Sequence, residues 1–199
     1  MSSKTFVDLV ADLVSRLDTR EIDAIAGLIL AAGETSGRIY IAGNGGSAAT
    51  AQHFHNDLVG LTLKRNHYGS APVCLSANMS PFSALSNDYG YDKVFLKQVE
   101  GRIGPGDLLM LFSVSGASPN CVEAVRYARR MGAVVTGMLG FDGGALAGLS
   151  DHKIVVRSDN YFAVESCHLV IAHAVTERLE SALSVEDLST ANKSRLKVS

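Results

Sequence analysis

The chain has 199 residues, 47% hydrophobic and 19% charged, a composition that fits one folded domain with a substantial core and excludes a disordered or fibrous polymer. A formal net charge of −2 without a long Lys/Arg run argues against a nucleic-acid surface, which needs clustered cations. No apolar run reaches the roughly 18 residues of a membrane span, and Met1-Ser-Ser-Lys-Thr5 lacks the order of a signal peptide. The scattered Cys74, Cys121 and Cys167 form no C-x-x-C pair and suit a reducing cytoplasm.

Apolar residues at helical spacing predict helices over Phe6–Val14 and Ile22–Ala32. Arg38–Gly43 reads as a short strand running into a Gly-rich turn. Ser47–Val59 reads as a helix with Ser47 as its N-cap. A second short strand is expected over Ala71–Leu75, and a helix over Tyr91–Val99. The run Asp107–Phe112 has the continuous apolar pattern of a strand buried on both faces. Pro119–Met131 is predicted helical, with Pro119 in the first turn where its missing N–H is harmless. Ala133–Leu139 is another buried strand and Ile154–Val156 a short last one. Phe162–Leu183 reads as a long closing helix, followed from about Val185 by a polar tail expected to fray. The organisation is therefore one domain: N-terminal helices over 1–35, a core over 36–185 and a tail over 186–199. Strands alternating with helices predict an α/β fold with a parallel sheet. In such sheets ligands sit beyond the carboxyl ends of the strands.

Two strand-to-helix loops lie at such ends. Gly43-Asn44-Gly45-Gly46-Ser47 can bring backbone N–H groups and a helix N-terminus to an anion, though the same run also makes a plain tight turn. It lacks the G-x-G-x-x-G spacing of dinucleotide folds. Ser113-Val114-Ser115-Gly116-Ala117-Ser118-Pro119 offers three hydroxyls on a short turn, able to hold a phosphate without lysine or simply to cap the next helix through Ser118. Two such loops in one chain favour an anion site, and no P-loop lysine follows either.

Acid–base residues lie on two predicted helices. His53 and Asp57 are four apart and share a face, which suits a base and its partner, two metal ligands or an exposed polar pair. His55 and Asn56 fall on other faces. The last helix carries Glu165, His168 and His173, with His173 in Val-Ile-Ala-His-Ala-Val, a setting that reads as buried. Glu165 and His173 are separated by about 12 Å of helical rise.

The run Ala42-Gly-Asn-Gly-Gly-Ser-Ala-Ala-Thr-Ala-Gln-His-Phe54 resembles the signature of the phosphoheptose isomerases, which have the SIS (sugar isomerase) fold. So do Ser86-Asn-Asp-Tyr-Gly-Tyr-Asp92, Ser113-Val-Ser-Gly-Ala-Ser-Pro-Asn120 and Asp142-Gly-Gly144, in one order over nearly the whole chain. The resemblance implies a flavodoxin-like parallel sheet flanked by helices and a cytoplasmic homotetramer with active sites between subunits. It implies interconversion of sedoheptulose 7-phosphate and its aldose isomer, a step of heptose biosynthesis, through a cis-enediol. On this likeness Ser113, Ser115 and Ser118, with Ser47, hold the phosphate, and Val114, Gly45 and Gly46 belong to the same loops. Asn44, Asn87 and Asp88 contact substrate, as does Glu165. Asp57 takes the position of the family's glutamate base, and His173 that of its acid histidine. Zinc or a similar divalent cation falls to His53, Asp57, Glu165 and His173.

The chain departs from the family in three places. Asp57 is one methylene shorter than the glutamate, and reach is part of catalysis. Glu165 stands where the family has glutamine and adds a negative charge that favours a divalent cation. Leu61 follows Gly60 where an arginine is usual, with Lys64 or Arg65 as nearby replacements. The resemblance also implies two non-catalytic alternatives of the same fold: a branch that binds the bacterial replication initiator and lacks the acid–base pair, and a module that senses sugar phosphates.

Overall fold

The computed structural model describes the backbone of residues 1–65 and 72–195 and the side chains of 1–63 and 72–184. Lys64 and Arg65 as replacements for the usual arginine, and the expected strand residue Ala71, therefore fall outside the described side chains. In chain order the elements are α1 (Ser3–Ser15), α2 (Thr19–Glu34), β1 (Ile39–Gly43), α3 (Gly46–Arg65), β2 (Val73–Cys74), α4 (Met79–Tyr89), a 3₁₀ turn (Tyr91–Lys93), α5 (Val94–Val99), β3 (Leu108–Ser113), α6 (Pro119–Arg130), β4 (Val134–Gly140), α7 (Gly144–Leu149), β5 (His152–Val156) and α8 (Tyr161–Arg195). No described helix is long and apolar enough to cross a membrane.

Five strands pair in parallel in the order β2-β1-β3-β4-β5, the flavodoxin-like order. β1 and β3 are buried at every position, as strands covered on both faces must be. Alternate residues feed two cores. Ile39, Ile41, Leu108, Met110 and Phe112 pack against α1, α2, α3 and α8, while Tyr40, Ala42, Leu109 and Leu111 pack against α5, α6 and α7. The chain leaves β1 for α3 on the first face and leaves β3 for α6 on the second. The neighbouring loops after β1 and β3 therefore diverge and open a crevice at the carboxyl edge of the sheet.

Several boundaries differ from the sequence reading. Ser47 is not the N-cap of α3, because the helix already includes Gly46 and the Ala48 N–H bonds back to Asn44 and Gly45. The second strand is only Val73–Cys74, an edge strand, and β5 begins at His152. The expected helix over Tyr91–Val99 is a 3₁₀ turn followed by α5. α8 runs on to Arg195 through most of the segment expected to fray. Helices α4 and α7 were not expected. α4 buries no residue fully; Phe82 and Leu85 pack half-buried on the second core, and Asn78 caps the helix by accepting from the Ser80 N–H.

Candidate functional site

The crevice holds a cavity of about 150 Å³ lined by Asn44, Ser47, Phe112, Ser113, Val114, Ser115, Ser118, Tyr161 and Glu165. Both loops singled out in the sequence thus meet in one place. The serine loop is held open by backbone geometry. Gly116 has φ +61° and its α-carbon faces the Gly143 carbonyl so closely that a Cβ would collide with it. Ser113 Oγ accepts from the Gly116 N–H at 3.1 Å and Ser115 Oγ from the Ala117 N–H at 3.3 Å. Among the described residues neither hydroxyl donates to a protein acceptor. Ser118 occupies the N-cap position of α6 without a side-chain capping bond, so its hydroxyl also remains available. Ser47 and Ser113 are buried yet border the cavity.

The two loops are tied together by Asn44, a residue the sequence singled out, and by Asn120 and Tyr91, which it gave no role. Asn44 and Asn120 exchange two amide hydrogen bonds, each 2.9 Å, and the Tyr91 hydroxyl donates to Asn44 Oδ1 at 2.8 Å. Asn120 is wholly buried. Gly46 leaves room for Glu165, whose carboxylate occupies the space a Cβ there would need. The cavity thus offers hydroxyls, backbone N–H groups and the N-termini of α3 and α6 to an anion, with no lysine or arginine in its lining. Asn87 and Asp88 are not in the lining. They are exposed at the end of α4, where Asn87 Nδ2 donates to Asp88 Oδ1 at 3.0 Å.

About 10 Å further along α3, His53 and Asp57 meet His173 of α8. His53 Nε2 lies 2.8 Å from His173 Nε2, and Asp57 Oδ2 lies 3.5 Å from the first and 4.0 Å from the second. The side chains of His53 and His173 are 46% and 52% exposed, and that of Asp57 is 20% exposed. His173 is therefore not buried, contrary to the sequence reading. Ile171, Ala172 and Val175 face the core, whereas Val170 and His173, three apart, point outward. The buried histidine of α8 is His168, fully enclosed, edge-on to Phe112 and, among the described residues, without a hydrogen-bond partner for either ring nitrogen. Burial pushes its pKa down to about 4, weakly opposed by the Leu139 backbone.

Three ligand atoms of a tetrahedral zinc site lie about 3.3 Å apart when the metal–ligand bonds are near 2.05 Å. The separations among His53, Asp57 and His173 bracket that value, and two imidazoles with one carboxylate form a suitable donor set for zinc. The three residues fit a metal site with an open fourth position. Glu165 is not part of this group, since its carboxylate lies at Gly46, at the serine end.

Comparison with known proteins identifies the family. The SIS domain family profile matches residues 5–140. The chain is 40% identical over 165 residues to a phosphoheptose isomerase of Bradyrhizobium sp. strain BTAi1, covering 83% of this chain and 82% of the relative. It is 37% identical over 187 residues to a phosphoheptose isomerase of Mycobacterium tuberculosis, covering 92% and 94%. The solved structure of phosphoheptose isomerase GmhA from Neisseria gonorrhoeae superposes with a TM-score of 0.80 at 32% identity, over 89% of this chain and 94% of that one. The Francisella tularensis phosphoheptose isomerase gives a TM-score of 0.81 at 26% identity over the same shares. With its parallel sheet, paired loops and similarity over most of its length, the chain belongs to the SIS domain family and, within it, to the phosphoheptose isomerases.

Proposed function

We propose that this protein interconverts sedoheptulose 7-phosphate and its aldose isomer by intramolecular oxidoreduction. The observation that carries the reading is the two-ended site. A cradle of neutral donors lies about 10 Å along α3 from a carboxylate and two imidazoles, a spacing suited to an extended sugar with phosphate at one end and carbonyl at the other. Ser47, Ser113, Ser115 and Ser118 anchor the phosphate, whose binding energy positions the distant carbons. Asn44 reaches the sugar from the first loop, and Asn87 and Asp88 contribute from the exposed end of α4.

In this mechanism Asp57 removes the proton from the hydroxyl-bearing carbon beside the carbonyl. The C–H electron pair becomes the C=C bond of a cis-enediol, and His173 gives a proton to the carbonyl oxygen. Asp57 then returns its proton to the former carbonyl carbon, while His173 takes one from the other hydroxyl. His53, Asp57 and His173 would hold zinc or a similar cation, with Glu165 as a fourth ligand on moving away from Gly46. A cation bound there acts as a Lewis acid on carbonyl and hydroxyl oxygens.

His173 is exposed on a face of α8 that also carries Phe162, 73% exposed, and Val170, 38% exposed. Large apolar groups beside polar reacting groups suit a surface covered by another subunit, which supports a homotetramer with sites between subunits. The three free cysteines, all buried, support a cytoplasmic setting. A coupled assay of heptulose, hexulose and pentulose phosphates tests the function. Turnover fastest on the heptulose phosphate is expected, and no turnover on any of them overturns it. Light scattering at micromolar concentration should give a multiple of the 21.0 kDa chain mass, and a monomer would overturn the assembly.

A further inference from the structure

We infer that Tyr161 is a substrate-binding residue whose hydroxyl completes the phosphate cradle, with Phe141 holding its ring in place. The inference rests on the reading that the serine-lined cavity takes the phosphate.

Tyr161 is the first residue of α8, and it lines the cavity beside Ser47, Ser113, Ser115 and Ser118. Its side chain is half exposed, and among the described residues its hydroxyl has no hydrogen-bond partner. A free phenol at the rim of an anion site is a donor without an acceptor. Among the described residues the cavity lining contains no cation and one carboxylate, Glu165. A phosphate there depends on neutral donors, so each added donor contributes a charge-assisted hydrogen bond.

The ring is not placed by α8 alone. It packs edge-on against Phe141, with centroids 5.0 Å apart and planes at 86°. Phe141 sits in the left-handed region, φ +54°, a strained conformation for a bulky residue, which persists where surrounding contacts enforce it. Those contacts lead back to the serine loop. The Leu146 N–H donates to the Gly116 carbonyl at 2.9 Å, and the Gly144 N–H is held by Asp142 Oδ1 at 2.9 Å. The turn after β4 therefore links the serine loop to Phe141, and Phe141 fixes the distance from that loop to the Tyr161 ring. A pre-positioned donor loses little freedom on binding.

The test compares Tyr161→Phe with Ser115→Ala in the full-length protein, measuring steady-state kinetics on the sugar phosphate and calorimetric binding of inorganic phosphate. Tyr161→Phe keeps the ring and its Phe141 contact and removes only the hydroxyl. It should raise KM about tenfold with a much smaller change in kcat, and weaken phosphate binding by a similar factor. Phe141→Leu should move KM in the same direction by less. If Ser115→Ala weakens phosphate binding while Tyr161→Phe binds as the wild type does, the role of Tyr161 is overturned and the phosphate reading stands. If neither variant changes phosphate affinity, the cavity is not the phosphate site and both fall.

Discussion

At the serine end of the site, backbone turns, a buried amide pair and the N-termini of two helices leave the hydroxyls little choice of position. At the histidine end, three side chains meet on exposed faces of α3 and α8, held among the described residues only by each other. The first end is built of neutral donors around one carboxylate, Glu165. The second is made of titratable groups facing solvent, where water screens charge and competes for every proton. Under the proposed function the two ends would do different work: the rigid end would bind, and the open end would react once a cation, a substrate or another subunit excludes water. The contrast also predicts different kinetic signatures, KM effects at the serine end and kcat effects at the histidine end.

The largest expected effect breaks the histidine end. Asp57→Asn and His173→Ala should each lower kcat by about 10²–10⁴-fold, with circular dichroism and thermal unfolding little changed because neither residue is in the core. If both variants keep full turnover on every sugar phosphate tried, the acid–base assignment is wrong.

The next prediction concerns His168, which lies on α8 between the two ends and belongs to neither. Above its ordinary value of 6.5 the imidazole is neutral in both folded and unfolded chains and stability is independent of its charge. As pH falls from 6.5 towards 4 the unfolded chain takes up a proton that the folded chain, with its pKa near 4, refuses. Stability should therefore fall over that window by about 3 kcal/mol in total. Urea unfolding at pH 7 and pH 5 reads the loss. The His168→Leu variant removes two unsatisfied nitrogens and should flatten this acid branch. An unchanged acid branch in the variant would show that other groups cause it.

A smaller effect distinguishes a cation-binding histidine end from a metal-free acid–base pair. If His53, Asp57 and His173 hold zinc, added zinc should stabilise the fold by about 2.7 kcal/mol at a hundredfold excess over its Kd, and chelation should lower the melting temperature and the activity. The His53→Ala variant should lose the zinc-dependent shift in melting temperature. Absence of metal from carefully purified protein, together with indifference to chelators, would leave a metal-free pair.

The same contrast explains what could be read from the sequence. β1, β3 and β4 were legible because continuous apolar runs admit few other readings, and the two glycine and serine loops because strand-to-helix turns at the carboxyl edge are local in sequence. His53 and Asp57 were found as an i,i+4 pair. What escaped depends on tertiary contacts. His173 has apolar neighbours in sequence, but most of them point away from it around the helix, so its exposure shows only in three dimensions. α4 buries no residue fully, and the half-burial of Phe82 and Leu85 on the second core shows only in the fold. Tyr161 belongs to no motif and reaches the cavity through Phe141, twenty positions away in sequence. Asn120 lay in a quoted motif, yet its pairing with Asn44 appears only when β1 and β3 stand side by side.

Glu165 carries the smallest and most discriminating prediction, because it was expected at one end and lies at the other. Its carboxylate fills the space beside Gly46, within the lining that also holds the serines. There it would repel a phosphate dianion while accepting hydrogen bonds from sugar hydroxyls. Glu165→Gln keeps the shape and removes the charge. If Glu165 acts at the serine end, the variant should bind inorganic phosphate a few-fold more tightly, as expected for removing one like charge in a partly solvated site, with zinc affinity unchanged. If the side chain swings to the histidines as a fourth ligand, zinc affinity should fall while some activity remains, because a neutral amide is a weaker ligand than a carboxylate for a divalent cation. Calorimetry with zinc and with phosphate on the same variant separates the two, and a variant unchanged in both would remove Glu165 from the site.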